Sequence, residues 1–281
     1  MLKLSVVCAA FILAIAPSPI AAAAPTSGTQ SPVISYVRSA RGYSLIVANE
    51  DGSGARTIHS SSLMLSGELG PDSMIYFWEG GYFKRMPATG GAPQPLFNTN
   101  RTIVNHSDLS PNGTSVAWFS AAAGTLFRYD IATGNQTPLA QVSSIIDLTF
   151  DYTGNSIIYA EEVVSGTEYE LKTISAAGGT PSSLGLVGRI SQFDSARRDG
   201  TLALTINPPG ASPYIGLWKP GMSTPARITD GYNPTYRCDD SAILFDRMTN
   251  SGAALYKRTS GGAITLVAKP AAIFPSYKPI C

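Results

Sequence analysis

The chain has 281 residues, 44% of them hydrophobic and only 14% charged, with 27 Gly and 20 Pro. Its formal net charge is +1 and it carries no Lys/Arg run, which excludes a disordered polyelectrolyte and a surface built to bind a nucleic-acid backbone. Few charges and many turn formers point to an all-β protein with tight turns.

Met1-Leu2-Lys3 supplies a positive start, and Leu4 to Ala16 is an apolar run, shorter than the roughly 20 residues a bilayer span requires. Pro17, Ser18 and Pro19 end that run, and Ala21 to Ala24 offer small residues at the −3 and −1 positions. This layout predicts a secretory signal peptide over 1–23, cleaved after Ala23, a short linker over 24–32 and one exported domain over 33–281. Cys8 sits in mid-run with no small residue just before it, so no lipid anchor is expected. No later apolar stretch reaches membrane length, so no membrane span is expected in a periplasmic or secreted protein.

From residue 33 onward short apolar strands recur. Their centres fall at 35, 76, 117, 158, 203 and 244, at intervals of 41, 41, 41, 45 and 41. Turns such as Gly70-Pro71-Asp72-Ser73, Ser110-Pro111-Asn112-Gly113 and Asp151-Tyr152-Thr153-Gly154 precede them, with Pro presetting φ early and Gly accepting φ > 0 late. A second strand follows each, as in Leu126-Phe127-Arg128-Tyr129, and then a Gly-rich turn and a short last strand. Four strands per period of about 41 residues is the signature of a β-propeller blade, and six periods predict a six-bladed β-propeller.

The first strand of each repeat carries a large residue: Leu69, Leu109, Phe150, Phe193, Tyr236 and Tyr277. A polar residue precedes each: Glu68, Asp108, Thr149, Gln192, Thr235 and Ser276. Alternation along a strand sends the large residue between blades and the polar one toward a central channel. The first repeat lacks its own first strand, whereas Phe274-Pro275-Ser276-Tyr277-Lys278 at the C-terminus resembles Asn233-Pro234-Thr235-Tyr236-Arg237. The C-terminal strand is therefore expected to join the N-terminal blade and close the ring, removing two open edges.

Leu-Ser-Pro-Asn-Gly-x-x-x-Ala-Trp at 109–118, with Asn49-Glu50-Asp51-Gly52-Ser53-Gly54, resembles the WD40-like PD40 repeat of TolB-like six-bladed propellers. The resemblance spans about 33–281. It implies protein binding in the cell envelope rather than a reaction. The sequence departs from the family in one respect: TolB carries an α/β domain before its propeller and no such segment is expected here, so partner contacts made through that domain do not carry over.

Catalytic signatures are scarce. No G-x-S-x-G elbow occurs, and the two histidines, His59 and His106, fall in different repeats, too few for a His-based metal site. Glu68 and Asp108 occupy matching positions in adjacent repeats. They are the candidates for holding a channel cation such as Ca²⁺, or, in a second reading, for carboxylate-based glycoside hydrolysis. The leading expectation is a monomeric, non-enzymatic, cofactor-free module that binds a protein partner. Its face is formed by the second-to-third-strand and last-to-first-strand loops, with Arg38, Arg41, Trp78, Glu79, Arg101, Glu161, Glu162, Arg189, Tyr232 and Arg247 as contacts, since Arg, Trp and Tyr dominate binding hot spots. The alternative is a glycan-active, small-molecule-binding or cation-binding propeller that uses the channel mouth. Cys238 and Cys281, the cysteines left after cleavage, fall in neighbouring closing blades and could form a disulfide.

Overall fold

A computed structural model describes residues 34–39, 42–99, 106–195, 199–269 and 272–277. These residues form six four-stranded antiparallel sheets. Blade 1 contains β1 (Ile34–Ser39), β2 (Tyr43–Ala48) and β3 (Arg56–Ser61). Blade 2 is β4 (Ser66–Leu69), β5 (Met74–Glu79), β6 (Tyr82–Pro87) and β7 (Gln94–Asn98). Blade 3 is β8 (Ser107–Leu109), β9 (Ser115–Ser120), β10 (Thr125–Asp130) and β11 (Gln136–Gln141). Blade 4 is β12 (Ile145–Phe150), β13 (Ser156–Val164), β14 (Glu168–Ser175) and β15 (Ser182–Val187). Blade 5 is β16 (Ile190–Ser195), β17 (Leu202–Ile206), β18 (Tyr214–Trp218) and β19 (Ala226–Asp230). Blade 6 is β20 (Tyr232–Tyr236), β21 (Ala242–Thr249), β22 (Gly252–Thr259) and β23 (Ile264–Ala268), and the last strand is β24 (Ala272–Tyr277).

β24 completes blade 1, as the missing first strand requires. It lies antiparallel to β1 with Ile34 opposite Tyr277, Ser35 opposite Ser276 and Val37 opposite Ile273. The turn between the first two strands repeats in phase with the blades. Ser73, Gly113, Gly154, Gly200 and Asp240 all stand at φ between +60° and +73°, and four of them donate their amide to the carbonyl three residues back. Glycine is the ordinary choice there because it carries no Cβ. Ser73 and Asp240 show that two blades hold the same turn without it.

Six buried apolar clusters occupy the six seams between neighbouring blades. This explains why the second strand of each blade reads as an unbroken apolar run. In β5, Ile75 and Phe77 face blade 1 while Tyr76 and Trp78 face blade 3, so both faces are buried and alternation disappears. The inner-strand residues Leu69, Leu109, Phe150, Phe193 and Tyr236 are all buried. Among the described residues no helix is long and apolar enough to cross a membrane.

Candidate functional site

The inner strands pair with a neighbour on one side only, so their other edge lines the channel with unpaired amides. Leaving such groups without an acceptor is costly. Acidic side chains from the preceding blade supply the acceptors. Asp108 on β8 takes the Phe150 amide at 2.6 Å and the Thr149 hydroxyl at 3.0 Å. Asp147 on β12 takes the Phe193 amide at 2.8 Å. Asp194 on β16 takes the Tyr236 amide at 2.8 Å and the Thr235 hydroxyl at 3.1 Å. Glu68 on β4 has the Leu109 amide beside it. A carboxylate thus reaches from each of blades 3, 4 and 5 to the inner strand of the next.

Glu68 and Asp108 stand where alternation places them, on the channel. Asp147 and Asp194 do not directly precede the large inner-strand residues, so the position that marks Glu68 and Asp108 in the sequence does not mark them. Period-two alternation from Thr149 and Gln192 carries the signal, since it puts residues 147 and 194 on the same face.

A cavity of about 180 Å³ opens beside the inner strands, and its described lining contains Glu68, Asp108, Asp147, Asp151 and Asp194 but no Lys, Arg or His. Burial, then the Asp108 charge, pushes the Glu68 carboxyl well above its ordinary range. Burial, then the Asp194 charge, pushes Asp108 up to about 7. Both effects disfavour a second negative charge at close range. Glu68 and Asp108 lie close enough for each to influence the other's ionisation. Among the described residues no group of three or more His, Cys, Asp or Glu side chains is placed to hold a metal ion.

The loop face is more self-contained than the sequence suggests. Trp78 is a correction: it is only 8% exposed, lies in the seam of blades 2 and 3, and donates its indole N–H to Ser107 Oγ at 2.6 Å. Its size and apolarity serve packing there, so it is not a surface contact. Glu79 is engaged by His59 at 3.1 Å and Lys84 at 2.7 Å. Although burial opposes ionisation, hydrogen bonds from Lys84, Ser61 and His59 hold its carboxyl down at about 2. Glu161 accepts from Lys172 at 2.6 Å, and Glu162 accepts the Gly166 amide. Arg247 donates to the Asp230 carbonyl and Thr229 hydroxyl and lies over the Phe245 and Tyr256 rings. Arg189 is exposed and donates to the Gly166 carbonyl at 2.6 Å. Arg38 and Tyr232 are half-buried. Arg41, Arg101 and Cys281 lie outside the described residues, and with Cys281 the pairing with Cys238.

What this face offers is apolar. Of the eleven large hydrophobic side chains exposed among the described residues, seven belong to it: Leu63, Met64, Tyr82, Val163, Val164, Leu186 and Met248. Tyr152 and Met222 lie in turns at the opposite end, and Ile264 and Leu266 lie on the outer strand β23. Val163, Val164 and Met248 sit where β13 and β21 run past the length of the equivalent strands. Those longer hairpins were the signal available in the sequence.

No protein-family model matches the chain, nor does any curated protein. Solved structures do match. TolB from Acinetobacter baumannii superimposes with a TM-score of 0.76 at 14% identity, over 90% of this chain and 68% of that one. A putative TolB from Agrobacterium tumefaciens matches with a TM-score of 0.68 at 15% identity, over 86% of this chain and 91% of that one. A chain of a nidogen/laminin complex matches with a TM-score of 0.68 at 8% identity, over 89% of this chain and 99% of that one. The TolB-like six-bladed propeller fold is therefore shared.

Proposed function

We propose that this TolB-like propeller is an exported, non-enzymatic binding module that docks an apolar, weakly charged surface of a protein partner on the loop face. The observation that carries this reading is the gathering of seven of eleven exposed large hydrophobics on that one face. Most of its described charges are already engaged within the chain, so a partner gains little from charge and more from apolar burial. Propeller-bearing neighbours fit the reading: one matched chain comes from a nidogen/laminin complex.

The test is site-specific photocrosslinking in the envelope of the native host. A crosslinker at Met64, Val164 or Met248 should yield an adduct with the same protein. Crosslinkers at Tyr152 and Met222 on the opposite end should not. Equal yields from both ends, or none from the loop face, would sink the assignment. Replacing Val163 and Val164 by Ser should cut the adduct by roughly tenfold, the order expected for losing about 1.4 kcal/mol of apolar burial, while leaving the melting temperature unchanged because both side chains are half-exposed.

The same reading of export includes a Cys238–Cys281 disulfide. Cys8 falls in the segment read as a signal peptide, which leaves Cys281 as the partner. The turn holding Cys238 is next to blade 1, since Arg237 and Lys257 of blade 6 reach Glu50 at 3.5 and 3.6 Å. Non-reducing peptide mapping of the exported protein should recover one linked peptide with both residues. Two alkylated thiols would refute the pair.

A further inference from the structure

We propose that β23, the outer strand of blade 6, is an open docking edge whose occupant is the β23 of a second copy, giving a weak two-fold dimer in which two four-stranded blades join into one sheet. Outer strands expose unpaired main-chain groups, and natural proteins blunt them with charge, proline or a broken strand. β3 carries Arg56 and His59, β7 carries Pro95, β11 carries Pro138, and β19 carries Arg227 and Asp230. β15 is interrupted by Gly185 at φ +140°. β23 reads Ile-Thr-Leu-Val-Ala over 264–268 and holds no charge, proline or glycine. Ile264, Thr265 and Leu266 are all exposed, and the loop face does not account for the two large apolar side chains among them.

Register shows which main-chain groups are open. Among the described residues β23 pairs with β22 alone. Thr265 stands opposite Lys257, Ile264 opposite Arg258 and Leu266 opposite Tyr256. The Thr259 amide donates to the Ala263 carbonyl at 2.9 Å, which makes 259 and 263 a bonded pair. Bonded and non-bonded pairs alternate along an antiparallel ladder. Thr265 is therefore bonded to Lys257, and the amides and carbonyls of Ile264 and Leu266 point away from β22 to the rim of the blade. The register shift beyond Leu266 ends this run.

Those outward groups select the occupant. Antiparallel pairing about a two-fold axis through Thr265 sets Ile264 opposite Leu266 of the copy, and Leu266 opposite Ile264. Each of these pairs exchanges two main-chain bonds, so every outward group finds a partner. The side chains meet as two Ile–Leu pairs on one face, and Thr265 meets its own copy on the other, where opposed residues interact most closely. Such a contact is self-complementary, as a two-fold interface requires. It brings no like charges together: Lys257, in the row of Thr265, is engaged by Glu50 at 3.6 Å, and Arg258, in the row of Ile264, falls in line with Tyr256 of the copy. A neutral edge offers a charged foreign strand nothing in return. One strand pair covers less than the roughly 1,200 Å² of a standard interface, so the dimer is reversible and forms at high concentration, where it replaces the monomer expected from the sequence.

Thr265→Cys is the direct test. Directly opposed residues have Cβ atoms about 4.5–5.5 Å apart, so the two introduced thiols can bridge under mild oxidation. Peptide mapping should recover a dimer linked through residue 265 of both chains. Adding Ile264→Lys should cut that link roughly tenfold by setting a charge against Leu266 of the copy, with the melting temperature unchanged because Ile264 is 41% exposed. Thr137→Cys on β11, next to Pro138, should not link. In sedimentation, the mass of the native chain should rise toward twice the monomer between about 1 and 300 µM, whereas Ile264→Lys should stay monomeric. Absence of the 265–265 link, an equal link in the presence of Ile264→Lys, or a native chain at monomer mass throughout would overturn the dimer. So would a Cys at 265 that links to an unrelated chain of the host instead, which would give the edge to a foreign strand.

Discussion

Deleting residues 272–281 is expected to leave a chain with no cooperative unfolding transition at 37 °C. The deletion removes β24, which pairs along β1 from Ile34 to Arg38. It bares a strand whose Ile34, Tyr36 and Val37 are at most 1% exposed. It also opens the ring between blades 6 and 1 and leaves an unpaired edge able to recruit other chains. A loss of this kind is comparable with the whole net stability of a domain, about 5–15 kcal/mol. A permuted chain provides the control: moving 272–281 in front of residue 31 through a short turn recreates the first-to-second-strand hairpin of the other blades. That permutant should regain a sharp transition near the native midpoint. A deletion variant that melts like the native chain would show that closure through the C-terminal strand contributes little.

Trp78→Ala should destabilise the protein by roughly 3–5 kcal/mol, the usual cost of emptying a large aromatic site. The indole packs 4.9 Å from Phe83 and 5.5 Å from Phe97, centroid to centroid, and 6.4 Å from Trp118. That chain of rings continues through Phe97 to Tyr129 at 4.3 Å and through Trp118 to Phe127 at 4.8 Å. Its loss also leaves Ser107 Oγ without its 2.6 Å donor. Chemical denaturation should show the midpoint falling with the slope nearly unchanged. Trp78→Phe should lose less, because the cavity is smaller. Were Trp78→Ala to leave stability intact and abolish partner capture, the indole would belong to the binding surface and its place in the seam would be wrong.

The repeat was legible because it is written in local chemistry. Spacing of about 41 residues, the turns ending at Gly113 and Gly154, and apolar runs such as Ile75 to Trp78 each depend only on neighbouring residues and on how a strand or turn satisfies itself. Closure was legible too, since 274–278 repeats the pattern of 233–237 and only one blade lacked that strand. The inward direction of Glu68 and Asp108 followed from period-two alternation. What a side chain meets on arrival is a different question, fixed by residues about 41 positions away in the next blade. Trp78 reads as a hot-spot residue beside a loop, but blade 3 brings Trp118 and Ser107 over it. Glu79 reads as a free charge, but His59 of the preceding blade and Lys84 of its own hairpin neutralise it. Asp147 and Asp194 became significant only when the amides of Phe193 and Tyr236 came to rest against them. Local sequence determined the strands, the turns, their number and the joining of the ends. Packing between blades decided which polar groups are engaged and which apolar ones remain open, because burial and hydrogen bonding depend on surfaces that do not exist until the ring has closed.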